Sequence, residues 1–301
     1  MPKKPPVDPG RWALAVALLA LGGVVLLLFQ VRELRTAVRS TRPAVSHRME
    51  PKTEPAKPRP SATVPLPVKR PAVSGGRIAL VLDDWGYNKR NFSFLKSVKV
   101  PLTVAVLPSV PYSGSVSRAA AAAGHEVILH LPMESERQGI HVEAGTLTTD
   151  MSDAEILDHL DSALRTVSDA KGVSNHQGSE ATSDQRLMRT LLTELKRRRL
   201  YFLDSLVIPT SVGRETAAAV GIPFARRAVF LDNDSDPEVI RARFMELIHR
   251  VDREGAAVGI GHDRVSTVQV LETIIPELQA AGYRFVPVSE LTEVPREERD
   301  S

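Results

Sequence analysis

Arg77-Ile78-Ala79-Leu80-Val81-Leu82-Asp83-Asp84-Trp85-Gly86-Tyr87 is the stretch from which the rest of the chain is best read. An apolar, partly β-branched run passes without interruption into two adjacent carboxylates. Such a run reads as a parallel strand buried on both faces. Its polar end is where parallel sheets present side chains to a ligand, beyond the C-terminal ends of their strands. Similar runs recur at 102–107, 126–131, 172–175, 200–203, 256–260 and 283–286, several closing on polar residues. Helical patterns lie among them at 113–123, 153–167, 184–198, 237–253 and 267–281. Ser152 with Glu155, and Thr182 with Gln185, have capping-box spacing, while Gly124, Gly221 and Gly282 follow helices where a left-handed closing residue is needed. Strands alternating with helices predict βαβ units, hence an α/β protein with a mainly parallel sheet. A nearly closed (β/α) barrel and an open doubly wound sheet both fit this order.

The domain so read covers 77–292 of a chain of 301 residues. Ahead of it, residues 30–76 form an expected linker whose part from 42 onward is crowded with Pro, Lys and Arg, a composition that cannot bury a core. Residues 12–29 are apolar and uncharged, about the minimum length for a bilayer span, and follow Lys3, Lys4 and Arg11. Gln30-Val31-Arg32-Glu33-Leu34-Arg35 comes next in place of a small-residue cleavage pattern, so an uncleaved anchor is expected. With residues 1–11 as a cytoplasmic tail, the chain would be a single-pass inner-membrane protein whose domain faces the periplasm. Arg32, Arg35, Arg39 and Arg42 oppose that orientation by charge. Residues 293–301 read as a disordered tail.

The chain has no cysteine, which excludes disulfides, thiol catalysis and zinc-thiolate sites. Its net charge of +3 comes largely from the first 76 residues. Beyond the linker the dense basic run is Lys196-Arg197-Arg198-Arg199, expected to be a solvated helix end, so no nucleic-acid partner is expected.

The candidates for chemistry stand at strand ends. Asp83 and Asp84 point in different directions on an extended backbone, so one can bind a metal while the other serves as a base; the bland alternative is that Asp84 caps a turn. His130 and Glu134 flank a proline-fixed turn that would let an imidazole and a carboxylate converge on one cation. His125, at the opposite end of that strand, reads as structural. Ser174-Asn175-His176-Gln177-Gly178-Ser179 is dense in polar groups, and its glycine would let backbone approach a ligand. Asp204-Ser205 and Gly261-His262-Asp263 repeat the arrangement. His262 is the best acid candidate because imidazole titrates nearest neutrality.

Together these motifs resemble the divergent polysaccharide deacetylases, a remote branch of the NodB-type carbohydrate esterases. The carrying stretches are Leu82-Asp83-Asp84-Trp85-Gly86-Tyr87, Leu102-Thr103-Val104-Ala105-Val106-Leu107-Pro108, Gly124 through Glu134, Asn175 through Ser179, Val229-Phe230-Leu231-Asp232-Asn233 and Ile260-Gly261-His262. The resemblance implies a distorted (β/α)7 barrel and a divalent metal site, of zinc type, that hydrolyses acetyl groups on a glycan such as peptidoglycan. It implies Asp83 as base, Asp84 and His130 as ligands, and His262 as acid. Where the wider group has a second histidine this chain has Glu134, so Glu134 or His176 would complete the metal site. Asn175, Gly178, Ser179 and Asp204 are the expected substrate-binding residues. Leu206, Ala228 and Asp263 depart from the branch, replacing an expected arginine, aspartate and proline. A catalytically silent barrel that binds glycan or an envelope protein is the alternative function, and a scaffold acting through its basic linker is a third.

Overall fold

The computed structural model describes residues 75–296, apart from 138 and 140. The expected cytoplasmic tail, anchor, and all but the last residues of the linker lie outside the described residues, as does the end of the C-terminal tail. Among the described residues no helix is long and apolar enough to cross a membrane.

The strands are β1 (Arg77–Trp85), β2 (Thr103–Val106), β3 (Glu126–Met133), β4 (Gly172–Gln177), β5 (Tyr201–Asp204), β6 (Phe224–Arg226), β7 (Val229–Phe230), β8 (Ala256–His262) and β9 (Arg284–Val286). They form one sheet in the order β6-β5-β4-β3-β2-β1-β8-β7, with β9 paired to the start of β1. The ladders between named strands are parallel. The helices are α1 (Phe92–Ser97), α2 (Ser113–Ala122), α3 (Asp153–Thr166), α4 (Gln185–Arg197), α5 (Gly213–Val220), α6 (Pro237–Glu254) and α7 (Val265–Ala281).

The sheet curls without closing. Among the described residues no ladder joins the edge strands β6 and β7, so the architecture is a NodB-like half-barrel where a distorted (β/α)7 barrel was expected. The reason is covalent: neighbouring parallel strands need a crossover of a dozen residues, and only Arg227 and Ala228 separate these two. β6, β7 and α1 are also elements the sequence pattern misses, being too short to carry a period, and α5 is signalled only by its closing Gly221.

Capping matches the pattern once and departs from it once. Ser152 and Glu155 form a reciprocal capping box at α3. Thr182 does not cap α4; its hydroxyl bonds the Gly178 carbonyl within a 3₁₀ turn, and Asp184 takes the cap by accepting from Leu187 N–H. Gly221 and Gly282 close α5 and α7 in the left-handed conformation.

Two apolar layers follow from the strand period of two. Ile78, Leu80 and Leu82 pack with Leu129, Val173 and the helices, whereas Ala79, Val81, Ala105, Ile128, Leu203, Val258 and Ile260 fill the inside of the curl. The 3₁₀ turn Val288–Leu291 closes the lower end, where Val288 N–H donates to Thr103 Oγ1 and the Thr103 and Tyr201 hydroxyls donate to Glu126. Continuing the inner period upward from Val81, Ile128 and Ile260 leads to Asp83, His130 and His262. The inner face of the sheet therefore passes from apolar to ionisable at its C-terminal rim.

Candidate functional site

The rim is assembled by register. Asp83 pairs with His262 across β1 and β8, His130 with Ser174 across β3 and β4, and Pro132 with His176. Asp84 joins them through a backbone irregularity. The β1–β2 register shifts between Leu82 and Trp85, and Asp84 takes φ 64°. That conformation is strained for most side chains but tolerated by Asp. Alternation is broken there, so the expectation that the two carboxylates diverge is not met: Asp83 Oδ2 and Asp84 Oδ1 lie 3.6 and 3.3 Å from the same His130 Nε2.

Asp84, His130 and His176 form a tight triangle. Asp84 Oδ1 is 3.0 Å from His176 Nδ1, and His176 Nδ1 is 3.3 Å from His130 Nε2. All three offer ligand atoms within 4.8 Å of one another. Glu134, the other expected ligand, is elsewhere. β3 runs on to Met133, and four extended residues carry the chain about 13 Å past His130. There the Glu134 carboxylate accepts from the Thr149 N–H and hydroxyl at 2.7 and 2.8 Å, pinning the loop that follows β3.

The triangle suits a divalent cation on two counts. Ligands about 2.0–2.1 Å from a tetrahedral ion stand about 3.3 Å apart, the spacing seen here. Asp84 Oδ1 is also a buried oxygen that lies near both imidazoles without hydrogen-bond geometry to either. Two imidazoles and a carboxylate would leave one position open, as catalytic zinc sites do. Each ring is held from behind: His130 Nδ1 meets Ser174 Oγ at 2.8 Å, and His176 Nε2 faces Glu143 Oε1 at 3.3 Å. Outer partners of this kind fix ring orientation and tautomer in metal sites. Glu143 is anchored by the Tyr87 hydroxyl, which donates to it at 2.9 Å and whose pKa burial and that bond push up to about 12.

Electrostatics separates the two aspartates. Burial would raise the Asp84 pKa, but the imidazoles of His130 and His176 outweigh it and hold the carboxyl well below the usual range. Asp83, more deeply buried, is raised by desolvation against the pull of His130 and His262. Its Oδ1 has no hydrogen-bond partner. Across the rim His262 Nδ1 meets Asp232 Oδ1 at 2.6 Å, and Asp232 Oδ2 accepts from the His262 N–H and the Thr267 hydroxyl. Burial opposes the charge on His262, yet Asp232 outweighs it and raises the imidazole pKa.

The other expected residues brace loops. Asn175 Oδ1 accepts from Ser205 N–H and its amide donates to the Gln177 carbonyl. Gly178 has φ 93° and a Cβ there would meet Met133 Cβ at 3.0 Å, so close packing accounts for this glycine. Ser179 Oγ accepts from Glu136 N–H, and Asp204 accepts from Leu206 N–H and Ser211 Oγ. His125 is structural as expected, its ring bridging the Leu95 carbonyl and Leu102 N–H. Sequence reasoning missed the parts of Glu143, Ser174 and Asp232. Asp232 follows an apolar pair and lay within a quoted motif, a usable signal; Glu143 lies in an irregular loop and offered none.

A parallel half-barrel whose C-terminal rim carries a carboxylate–imidazole triangle defines a NodB-like α/β protein with a candidate metal centre. A profile described as divergent polysaccharide deacetylase matches residues 80–292, and the chain belongs to that family. It is 34% identical over 211 residues to an uncharacterized protein of Haemophilus influenzae, covering 70% of this chain and 72% of that one. It is 36% identical over 207 residues to the uncharacterized protein YibQ of Escherichia coli, covering 68% and 64%. The crystal structure of an uncharacterized protein from Agrobacterium tumefaciens shares the fold, with a TM-score of 0.68 at 23% identity over 74% of this chain and 92% of that one.

Proposed function

We propose that this chain is a metal-dependent hydrolase that removes acetyl groups from an envelope polysaccharide such as peptidoglycan. The observation that carries the reading is the convergence of Asp84, His130 and His176 beside Asp83 and the Asp232–His262 pair. The triangle would hold a divalent ion, zinc by the character of its nitrogen and oxygen donors. When bound, such an ion polarises the acetyl carbonyl and acidifies a water. Asp83 accepts the proton that the attacking water loses; its second oxygen is unbonded and its own ionisation is disfavoured by burial, which strengthens it as a base. His262, protonated and oriented by Asp232, donates to the departing amine or alkoxide. Residues 12–29, as an inner-membrane anchor, would hold the domain at its polymer from the periplasmic side. The alternative, a silent glycan-binding barrel, differs by lacking turnover.

The test is to purify the protein without chelators, measure bound metal by elemental analysis, and assay acetate release from acetylated glycans. Near-stoichiometric metal and metal-dependent acetate release are expected. Glycan binding without acetate release from any acetylated glycan, in protein loaded with zinc, would leave the silent barrel as the function.

A further inference from the structure

A cavity of about 810 Å³ opens at the seam between β6 and β7. Arg77, Arg214, Arg226, Arg227 and Arg250 line it, outnumbering three lining glutamates. The glutamates are exposed, while every one of these arginines except Arg226 is half-buried. Glu254, one of the three, pairs with Arg253 outside the lining. Arg77 donates to a backbone carbonyl, that of Glu290. Among the described residues no carboxylate is in ion-pair contact with Arg226, Arg227 or Arg250. Within the wall, the charges of Arg226, Arg227 and Arg250 are therefore not neutralised by an ion pair.

Arg227 is the ordered donor. Its Nε and Nη2 donate to the Ser205 and Leu206 carbonyls at 2.7 Å, and its guanidinium lies 3.8 Å over the Phe230 ring. Those contacts leave Nη1 uncommitted. Burial lowers its pKa; Asp204 and Glu246 oppose the shift while Arg243 and Arg250 add to it. A desolvated guanidinium crowded by like charge is stabilised by an oxyanion, whose geometry its planar fork matches. Between Glu54 and Asp83 the sequence carries no Asp or Glu. Phe230 in turn stacks on His262, with centroids 6.1 Å apart, so the seam adjoins the acid side of the rim while lying outside the metal triangle.

We propose that the seam cavity binds an oxyanion, a phosphate or carboxylate group presented by a ligand, with Arg226, Arg227 and Arg250 as its donors. This holds whether or not the rim is catalytic. The test is calorimetric titration of the full chain at low ionic strength with inorganic phosphate, with trigalacturonate and with neutral maltotriose. Saturable binding of one or both anions, absent for maltotriose, is expected. It should weaken roughly tenfold or more in R226Q/R250Q, which removes two side chains that make no hydrogen bond among the described residues, and whose melting temperature should match wild type. Stronger binding of phosphate identifies a free anion as the ligand, and stronger binding of trigalacturonate an acidic polymer. Failure of both anions to saturate, or affinity unchanged in the double variant, overturns the site. Binding that appears only after removal of residues 297–301 overturns the external ligand as occupant, since the carboxylates of Glu297, Glu298 and Asp300 would then compete for the same donors.

Discussion

The two sides of the rim are built on the same inner face of one sheet, yet they are satisfied differently. On the β7–β8 side, both carboxylate oxygens of Asp232 are satisfied by protein atoms alone, from His262 and Thr267. On the β1–β3–β4 side, Asp84 Oδ1 is buried between two imidazoles with no hydrogen bond, while the outer nitrogens of both rings are engaged. A complete buried network holds one geometry without help, whereas an incomplete one is costly unless another species completes it. The difference separates a proton-handling pair from a cation-holding set, and it can be broken experimentally at each point.

The largest effect is expected from Asp84→Asn, which keeps the side-chain shape and the tolerance for φ 64° while removing the charge. Bound metal should fall from near-stoichiometric to background by elemental analysis, and acetate release with it. Metal retained in this variant would show that the triangle is not the site. His262→Gln should lower kcat about 10²–10⁴-fold, the usual contribution of a positioned acid, with metal content unchanged. Loss of metal in His262→Gln would merge the two sides into one network. Glu143→Gln should weaken zinc affinity about 10–100-fold, measured by chelator competition, because it removes the negative charge behind His176.

Asp232→Asn sharpens the other side through pH. Asp232 raises the His262 pKa, so protonated His262, and the activity that needs it, persists to higher pH and is lost as pH rises through that raised value. Without the aspartate the alkaline limb of kcat should move to lower pH; a limb that stays in place would exclude His262 as its source. The smallest effect on the site is expected from Glu134→Ala. Metal content should be unchanged, while loss of the bonds to Thr149 costs about 1–3 kcal/mol in denaturant unfolding.

The comparison also shows where a sequence can be read. Asp83, His130 and His262 were legible because each extends a strand whose period of two already places the preceding apolar residue inside the curl. Glu134 misled because Pro132 suggests a turn, yet Met133 bridges to Leu147 and the strand continues, carrying the carboxylate away. Glu143 was invisible because its contacts, to Tyr87 and to His176 at the end of β4, join segments distant in sequence.

The sequence by itself determined the succession of buried runs and helical stripes, the polar strand ends and the family, because burial and periodicity are local properties repeated over several residues. Only the tertiary structure decided that His176 and not Glu134 meets Asp84, that Asp232 holds His262, and that the sheet stops short of closure. Those outcomes depend on strand register, on one left-handed residue and on a two-residue link, where a displacement of a few ångströms changes the partner and no local pattern records it.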